Sequence, residues 1–600
     1  MNTSIPRPEY PRMQFRRDQW LNLNGTWSCE LDQGMSGHDR KFFLSQGFAT
    51  PINVPFCVES KLSGVGHRDF VNQVFYHRVL EIPQNWAGRR VILNFGAVNY
   101  DSHIYLDGVE CARHIGGSAA FAVDLTKLVR PGATHHLVVS AANDVRSGVQ
   151  MSGKQCYKHD SEGCFYTRVT GIWQTVYLEC AGMAGLKSCR IVPNLDDASF
   201  AFMPEFYLDK PGNNWEAEVF ADGKCVGAAA GPAIAGAPLA VKLSDPQPWS
   251  PEHPFLYEVK WTVRNQDGQV EDTVHSYAGL RKIHIEGNRI FLNNRPLYQR
   301  LVLDQGFYPD GVWTAPSDEA LEKDIRLSQS CGFNGARLHQ KVFEPRFHYH
   351  ADRLGYLTWG EAASWGTACT AESAVSRGTW MESAYNALNE WREIVTQNIN
   401  YPSIILWTPL NETQCDENHI SLQRNFIEQL YQLTRALDAT RPFHDSSGYI
   451  HQKSDIWSLH YYAADAKELA QALTPPAEPE YPGQLYRFTD PLSLYTKISR
   501  FDCPYSGQPF LLDEFGGFRF APRDLQDGWG YHGLNMKTDD ELLDKIRKQV
   551  EVILNDKRIC GFCYTQLTDV EQEQNGLFFY DRTPKTSPEK IAKIFGQMNT

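Results

Sequence analysis

The sequence predicts a multidomain protein in which two β-sandwiches precede a (β/α)8 TIM barrel. At 600 residues, the chain is too long for a single hydrophobic core. Short β-like runs closed by turn residues fill the first part of the chain, whereas apolar runs alternate with amphipathic helical patterns after residue 285. We therefore expect an N-terminal β jelly-roll sandwich at residues 1–180, an immunoglobulin-like β-sandwich at 181–284 and a C-terminal barrel at 285–600.

The two sandwiches are predicted from strand alternation and hairpin signals. In "RRVILNFGAVNYDSHIYLDGVE", residues 91–95 place apolar side chains on one face, and Asp107-Gly108 is a strong hairpin signal. Such strands continue to residue 180, which favours a jelly roll. Residues 257–263 repeat the alternation within a smaller unit, and its length of about a hundred residues suits an immunoglobulin-like sandwich.

The barrel is predicted from eight apolar strand candidates separated by helical patterns. Two of the helical patterns cover residues 384–398 and 421–438. The strand candidates are residues 298–306, 333–339, 356–361, 403–412, 442–448, 456–462, 509–517 and 559–567. Eight such βα units in about 300 residues are typical of a (β/α)8 barrel.

Composition and charge exclude several classes of partner. The formal net charge of −13 lacks the basic footprint that a nucleic-acid partner requires. The N-terminal residues contain no apolar signal-peptide core, and no run of 18 or more apolar residues occurs. We therefore expect a cytoplasmic protein with no membrane partner.

The 14 cysteines have no regular spacing, which favours reduced thiols. The sequence is compatible with a homo-oligomer.

Two carboxylates stand directly after long apolar strand candidates. Glu412 ends "SIILWTPLNE" and Glu514 follows "PFLLD", so they end the fourth and the seventh strands. The carboxyl ends of barrel strands meet at one mouth, where the two side chains can converge. Two facing carboxylates are the groups that glycoside hydrolysis requires, because one protonates the leaving oxygen while the other attacks carbon or activates water.

Other polar or aromatic residues near this mouth are candidates for binding the substrate. Arg337 ends the second strand, and we expect its charge to keep Glu514 ionised. Trp529 offers a ring on which a sugar can stack. The full set of binding candidates is Asp304, Arg337, His339, Glu361, Asn411, His460, Tyr461, Trp529 and Gln566.

Several segments resemble glycoside hydrolase family 2. They are "LNGTW" (23–27), "FGAVNYDSHIYLDG" (95–108), "YTRVTGIWQTVYLE" (166–179), "GLRKI" (279–283), "YPSIILWTPLNE" (401–412) and "PFLLDEFGG" (509–517). The resemblance implies a sugar-binding jelly roll and a retaining exo-glycosidase acting on a carbohydrate. It implies that Glu412 is the acid/base and Glu514 the nucleophile. It also implies that Asn411 holds the sugar 2-hydroxyl and that Tyr461 binds the nucleophile.

Departures from the family pattern narrow the substrate. Glucuronidases of the family carry an Asn-x-Lys motif, whereas residues 575–577 read Asn-Gly-Leu here. We therefore expect a β-galactoside or α-L-arabinoside. One alternative is a β-glucuronide or galacturonide, with Arg519, Arg523 or Lys585 taking the role of the missing lysine. The other alternative is a β-mannoside. Glu361 is followed by "AASWG" without further metal ligands, so no metal or other cofactor is expected. A non-catalytic carbohydrate-binding protein is the alternative of another class.

Overall fold

The structure is a computed structural model that describes residues 5–367, 369, 379–413, 420–448, 451–478, 485–486, 505–523 and 528–597. Its first part is a sandwich of antiparallel sheets with the strand orders β1-β12-β5-β9 and β3-β2-β4-β10-β7-β8. The strands are β1 Trp20–Asn22, β2 Gly25–Leu31, β3 Thr50–Val54, β4 Gln73–Glu81, β5 Arg90–Phe95, β6 Val98–Asn99, β7 Asp101–Leu106, β8 Val109–Ile115, β9 Phe121–Asp124, β10 Thr134–Ala142, β11 Gly171–Ile172 and β12 Val176–Ala181. The predicted jelly roll is confirmed.

The second part is a smaller antiparallel sandwich. Its strands are β13 Leu186–Asn194, β14 Ser199–Phe206, β15 Asn214–Ala221, β16 Lys224–Pro232, β17 Leu239–Lys242, β18 Tyr257–Arg264 and β19 Val270–Ala278. They form two sheets, β13-β14-β17 and β16-β15-β18-β19. Trp215 and Trp261 are buried between these sheets because alternate residues of β15 and β18 face inward. The predicted immunoglobulin-like sandwich is also confirmed.

The third part is a curled parallel sheet with helices between its strands. A hairpin precedes it: β20 Ile283–Glu286, β21 Arg289–Leu292 and β22 Arg295–Pro296. The strands that follow are β23 Gln299–Asp304, β24 Gly335–Leu338, β25 Leu357–Glu361, β26 Ile404–Thr408, β27 Leu410–Asn411, β28 Ser446–Ser447, β29 Trp457–His460, β30 Phe510–Gly516, β31 Phe518–Arg519, β32 Tyr531–Asn535 and β33 Ile559–Thr565. Seven of them are hydrogen-bonded in the order β26-β25-β24-β23-β33-β30-β29. The short β28 pairs with β27, so every predicted strand window contains a strand.

The helices pack outside this sheet. They are α1 Asp318–Ser330, α2 Pro345–Leu354, α3 Trp380–Asn398, α4 Ile420–Leu437, α5 Ala466–Leu473, α6 Asp539–Asn555 and α7 Pro588–Phe595. Thr538 caps α6 by accepting a hydrogen bond from the Glu541 amide, and Ser587 caps α7 from the residue before its first-turn proline. Within the part of the chain that is described, no helix is both long and apolar enough to cross a membrane.

A jelly-roll loop between β10 and β11 reaches the carboxyl ends of the barrel strands. The Gly153 amide donates to the Ala363 carbonyl oxygen at 3.0 Å, in the segment that follows β25. Tyr166 donates a hydrogen bond to the Glu573 carboxylate, in the segment that follows β33. Gly153 has a φ of +56°, and a Cβ there would lie 2.3 Å from the Gln340 carbonyl oxygen. The close approach of loop and barrel therefore requires glycine.

Candidate active site

Glu412 is held at the barrel mouth by the pairing of β27 with β28. Its amide donates to the Ser447 carbonyl oxygen at 2.7 Å, and the Thr413 amide donates to Ser446 Oγ at 3.1 Å. Its φ of +46° lies in the left-handed region, which is costly for a residue with a Cβ. The two flanking hydrogen bonds hold this backbone, so the carboxylate leaves the strand at a defined angle.

Glu514 lies at the carboxyl end of β30, beside Glu412. Oε1 of Glu514 accepts a 2.6 Å hydrogen bond from Arg337 Nη1, and Tyr462 donates to Oε2. One oxygen from each glutamate and one nitrogen of His460 all lie within 4.8 Å of one another. The two carboxylates therefore converge across the mouth as the strand positions predict. This closeness fits the separation of about 5 to 5.5 Å between the carboxyl groups of retaining glycosidases better than the separation of about 6.5 to 9.5 Å in inverting ones.

Arg337 is the central cation of the site, and its side chain is fully buried. It donates to Glu361 Oε2, Glu514 Oε1 and Asn411 Oδ1, each at 2.6 Å. Burial lowers the pKa of the guanidinium, but Glu361 and Glu514 outweigh burial and raise it. Arg337 and Glu514 are therefore in direct contact. The same contacts orient Asn411, whose Nδ2 is buried and has no hydrogen-bond partner among the described residues. That amide is available to a sugar hydroxyl.

His460 is the second cation, and it connects the two glutamates. Its Nδ1 lies 2.7 Å from Glu412 Oε1, and its Nε2 lies 3.4 Å from Glu514 Oε1 and 3.5 Å from Asp513 Oδ1. Burial lowers the pKa of His460, but Glu514 and then Asp513 raise it to about 10. The imidazole is therefore protonated at neutral pH and donates to Glu412.

Glu412 is ionised in this arrangement. Burial raises the pKa of its carboxyl, but the hydrogen bond and charge of His460 outweigh burial and lower it. A general acid needs a proton, and here the protonated group that pairs with Glu412 is the His460 imidazole, through Nδ1. The Glu412 side chain is 18% exposed, whereas that of His460 is 1% exposed. Glu412 is thus the member of the pair that can touch a substrate, and His460 is the member that stores the proton.

The expectation for Tyr461 is wrong, because Tyr462 contacts Glu514. Tyr461 donates its hydroxyl to Glu468 at 3.3 Å, at the start of α5. The reason is the alternation of side chains in an extended chain, which points His460 and Tyr462 into the mouth and Tyr461 away from it. The Tyr462 ring also stacks on Tyr531, with centroids 3.5 Å apart. Tyr462 is thereby held rigidly against the carboxylate.

His339 and Glu361 lie in the layer that supports Arg337. Nδ1 of His339 is 3.0 Å from Glu361 Oε1 and 3.0 Å from Arg337 Nη2. Burial, Lys154 and Arg337 lower the pKa of His339 well below its ordinary value, so the ring is neutral. Trp365 Nε1 donates to the Asn411 carbonyl oxygen at 3.2 Å.

The remaining predicted residues lie around this centre. Trp529 places its ring 5.0 Å from that of Tyr531, next to the tyrosine stack. Gln566 donates to Asn575 at 2.6 Å, while its buried Oε1 has no hydrogen-bond partner among the described residues. Asp304 is not brought to the glutamate pair by any described hydrogen bond. Its carboxylate accepts from the Gly306 amide, and burial raises its pKa to about 6.

Three residues of the site are not among the candidates named from the sequence. Tyr462 has a sequence signal, since it lies two positions after the inward-facing His460. Asp513 immediately precedes Glu514 in β30. Lys154 is buried and lies near Glu573, Glu514 and Glu412, but it belongs to the jelly-roll loop. Because Lys154 lies far from the barrel in sequence, no local pattern around it predicts a place in this site.

The three groups Glu412, His460 and Glu514 could also hold a metal ion, as judged by their spacing. Two features favour proton transfer instead. The imidazole has a pKa of about 10 and would have to lose its proton to coordinate an ion. Glu514 is already bound by Arg337 and Tyr462.

Comparisons with known families match all three parts of the chain. The model described as the sugar binding domain of glycosyl hydrolases family 2 matches residues 18–179. The model described as glycosyl hydrolases family 2 matches residues 206–281, and the model of that family's TIM barrel domain matches residues 283–483.

Individual relatives add detail. The β-glucuronidase of Felis catus is 25% identical over 472 residues, covering 72% of this chain and 69% of the relative. The β-galactosidase of Lactococcus lactis is 24% identical over 416 residues, covering 68% of this chain and 38% of the relative. Among solved structures, the β-glucuronidase from Ruminococcus gnavus in complex with D-glucuronic acid has a TM-score of 0.77 and 16% identity. The match covers 98% of this chain and 100% of that one, which shows the shared fold.

Proposed function

The chain belongs to glycoside hydrolase family 2, and we propose that it is a retaining exo-glycosidase that removes a terminal β-linked uronic acid, of the β-glucuronide type. The observation that carries the proposed chemistry is the convergence of Glu412 and Glu514 within 4.8 Å. The uronide is supported by the relative from Felis catus, which this chain covers more completely than it covers the β-galactosidase. A uronide thus replaces the neutral β-galactoside or α-L-arabinoside as the favoured substrate.

The proposed first step uses both glutamates. The Glu514 carboxylate attacks the anomeric carbon, the bond from that carbon to the leaving oxygen breaks, and Glu412 transfers a proton to the leaving oxygen. In the second step Glu412 takes a proton from water, the water oxygen attacks the same carbon, and Glu514 leaves. Two inversions restore the β configuration.

His460 couples proton supply to nucleophilic attack. Among the groups that raise the pKa of His460, the charge of Glu514 comes first. That charge disappears when Glu514 bonds to the sugar, so His460 then holds its proton less tightly. Glu412 Oε1, 2.7 Å away, gains the proton as the leaving oxygen requires it. Release of Glu514 in the second step reverses the change.

An aryl glycoside panel tests this proposal. We expect turnover of the β-glucuronide or β-galacturonide to exceed turnover of the β-galactoside, α-L-arabinoside and β-mannoside. Glu514→Ala and Glu412→Ala should both lose activity. Azide should rescue Glu514→Ala with an α-glycosyl azide product and Glu412→Ala with a β-glycosyl azide product.

Each outcome has a distinct meaning. A preference for the β-galactoside would refute the uronide and leave the retaining mechanism intact. Interchanged azide products would reverse the two glutamate roles. Sugar binding without any turnover by the wild type would favour a carbohydrate-binding protein.

A further inference from the structure

Lys154 is fixed at the barrel mouth by the jelly-roll loop that carries it. The Tyr166 amide donates to its carbonyl oxygen at 2.8 Å. The preceding residue, Gly153, donates to the carbonyl oxygens of Ala363 and Trp365 at 3.0 and 3.1 Å. These contacts attach both sides of Lys154, one within the loop and one to the segment after β25. The lysine backbone is thus positioned by the packing of two domains.

The Lys154 side chain is largely buried, and its ammonium forms no ion pair with a carboxylate among the described residues. The residue is 6% exposed, and Nζ lies 5.4 Å from the Trp365 ring centroid and 6.0 Å from that of Tyr166. Among the described residues, Nζ donates no hydrogen bond and no carboxylate oxygen lies within 4.0 Å. The two rings border it without using its three donors.

Other buried lysines differ in this respect. Lys341 donates to two backbone carbonyls, each at 2.6 Å. Lys585 forms an ion pair with Asp569 at 2.6 Å. Because Nζ of Lys154 has no such partner among the described residues, its donors remain available to an anion.

The negative charge of the carboxylates at the barrel mouth gives anion binding by Lys154 a function. Burial lowers the pKa of Lys154, but Cys164 and then the carboxylates of Glu573, Glu514 and Glu412 raise it, so the amine stays protonated. An anionic sugar approaching these carboxylates is repelled unless a cation meets its charge. The cations suggested from sequence have other contacts: Arg519 with Gln574, Arg523 with Asp581 and Lys585 with Asp569.

We propose that the Lys154 ammonium binds the carboxylate of the sugar ring that Glu514 attacks, so that a jelly-roll residue selects uronides in a barrel active site. This inference rests on the proposed uronide hydrolysis and names its specificity determinant. In this proposal Lys154 takes the role of the lysine of the Asn-x-Lys motif, because the third position of that motif is Leu577 here.

Lys154→Met and Lys154→Arg test the assignment with paired substrates that differ only at C6, aryl β-glucuronide and aryl β-glucoside. We expect Lys154→Met to lower the ratio of their kcat/KM values about 100-fold, because a charged hydrogen-bonded contact is lost. Lys154→Arg should retain part of the wild-type preference for the glucuronide. Lys158→Met is the matched control, since Lys158 lies in the same loop, is 54% exposed and pairs with Glu162. It should keep the wild-type ratio.

Calorimetric titration adds a readout that needs no turnover. In a Glu514→Ala background, Lys154→Met should weaken binding of D-glucuronate more than binding of D-glucose. An equal fall for both sugars and an unchanged kcat/KM ratio would overturn the assignment while leaving uronide hydrolysis standing. A wild type that prefers the glucoside would instead refute the proposed function. If Lys154→Met fails to fold, Lys154→Gln takes its place. A folded Lys154→Gln that loses the preference for glucuronide over glucoside supports the assignment, and one that keeps this preference overturns it.

Discussion

Replacing His460 with glutamine should remove a pH-dependent part of the protein's stability. Burial lowers the pKa of His460, but Glu514 and Asp513 raise it from 6.5 to about 10 in the folded state. Each pKa unit corresponds to about 1.4 kcal/mol, so roughly 5 kcal/mol of unfolding free energy is linked to this proton. Because the folded-state pKa is raised, the contribution is fully present below about pH 6.5 and is lost as pH rises through about 10.

Urea unfolding from pH 6 to pH 10 measures this contribution. We expect the wild type to exceed His460→Gln by several kcal/mol at pH 6 and by progressively less toward pH 10. His159→Gln, at a position whose side chain is 62% exposed, should follow the wild-type curve and serves as the control. A difference between wild type and His460→Gln that does not change with pH would refute the reasoning.

Three further predictions concern neighbouring contacts. Tyr462→Phe should lower kcat about 10- to 100-fold in initial-rate assays, because it removes a charge-assisted hydrogen bond of about 1.5 to 3 kcal/mol; Tyr461→Phe should change kcat little, and the opposite ranking would contradict the contact. Asn411→Ala should lower kcat/KM about tenfold for an aryl uronide and much less for its 2-deoxy analogue. An equal loss for both would exclude a contact with the 2-hydroxyl. Arg337→Gln should lower the free energy of urea unfolding by about 3 to 5 kcal/mol, because two buried carboxylates lose their cation. A loss of unfolding free energy under about 1 kcal/mol would contradict the central position of Arg337 in the site.

The fold and the glutamate pair were predictable because they depend on regular patterns. Parallel barrel strands all end at one mouth, so polar residues that follow apolar runs meet there whatever their separation in sequence. Glu412 and Glu514 lie about a hundred residues apart and still converge. Arg337 was predictable for the same reason, since it ends the second strand.

The details that failed depend on local register and on packing between domains. The choice between Tyr461 and Tyr462 depends on which residue after the end of β29 faces the mouth, and both have the same side chain. Asp304 ends the first strand, and its part in substrate binding stays a prediction. The position of Lys154 depends on a jelly-roll loop docking onto the barrel, which no local pattern in either segment records.

Trapping the covalent intermediate tests the central claim most directly. The protein would be incubated with a 2-deoxy-2-fluoro-β-glucuronyl fluoride, which slows the second step, and then digested for mass spectrometry. We expect one sugar per chain, attached to Glu514 in the peptide that contains "PFLLDEFGG". A label on Glu412, or a label on Asp513 with Glu514 unmodified, would contradict the assignment of Glu514 as the nucleophile.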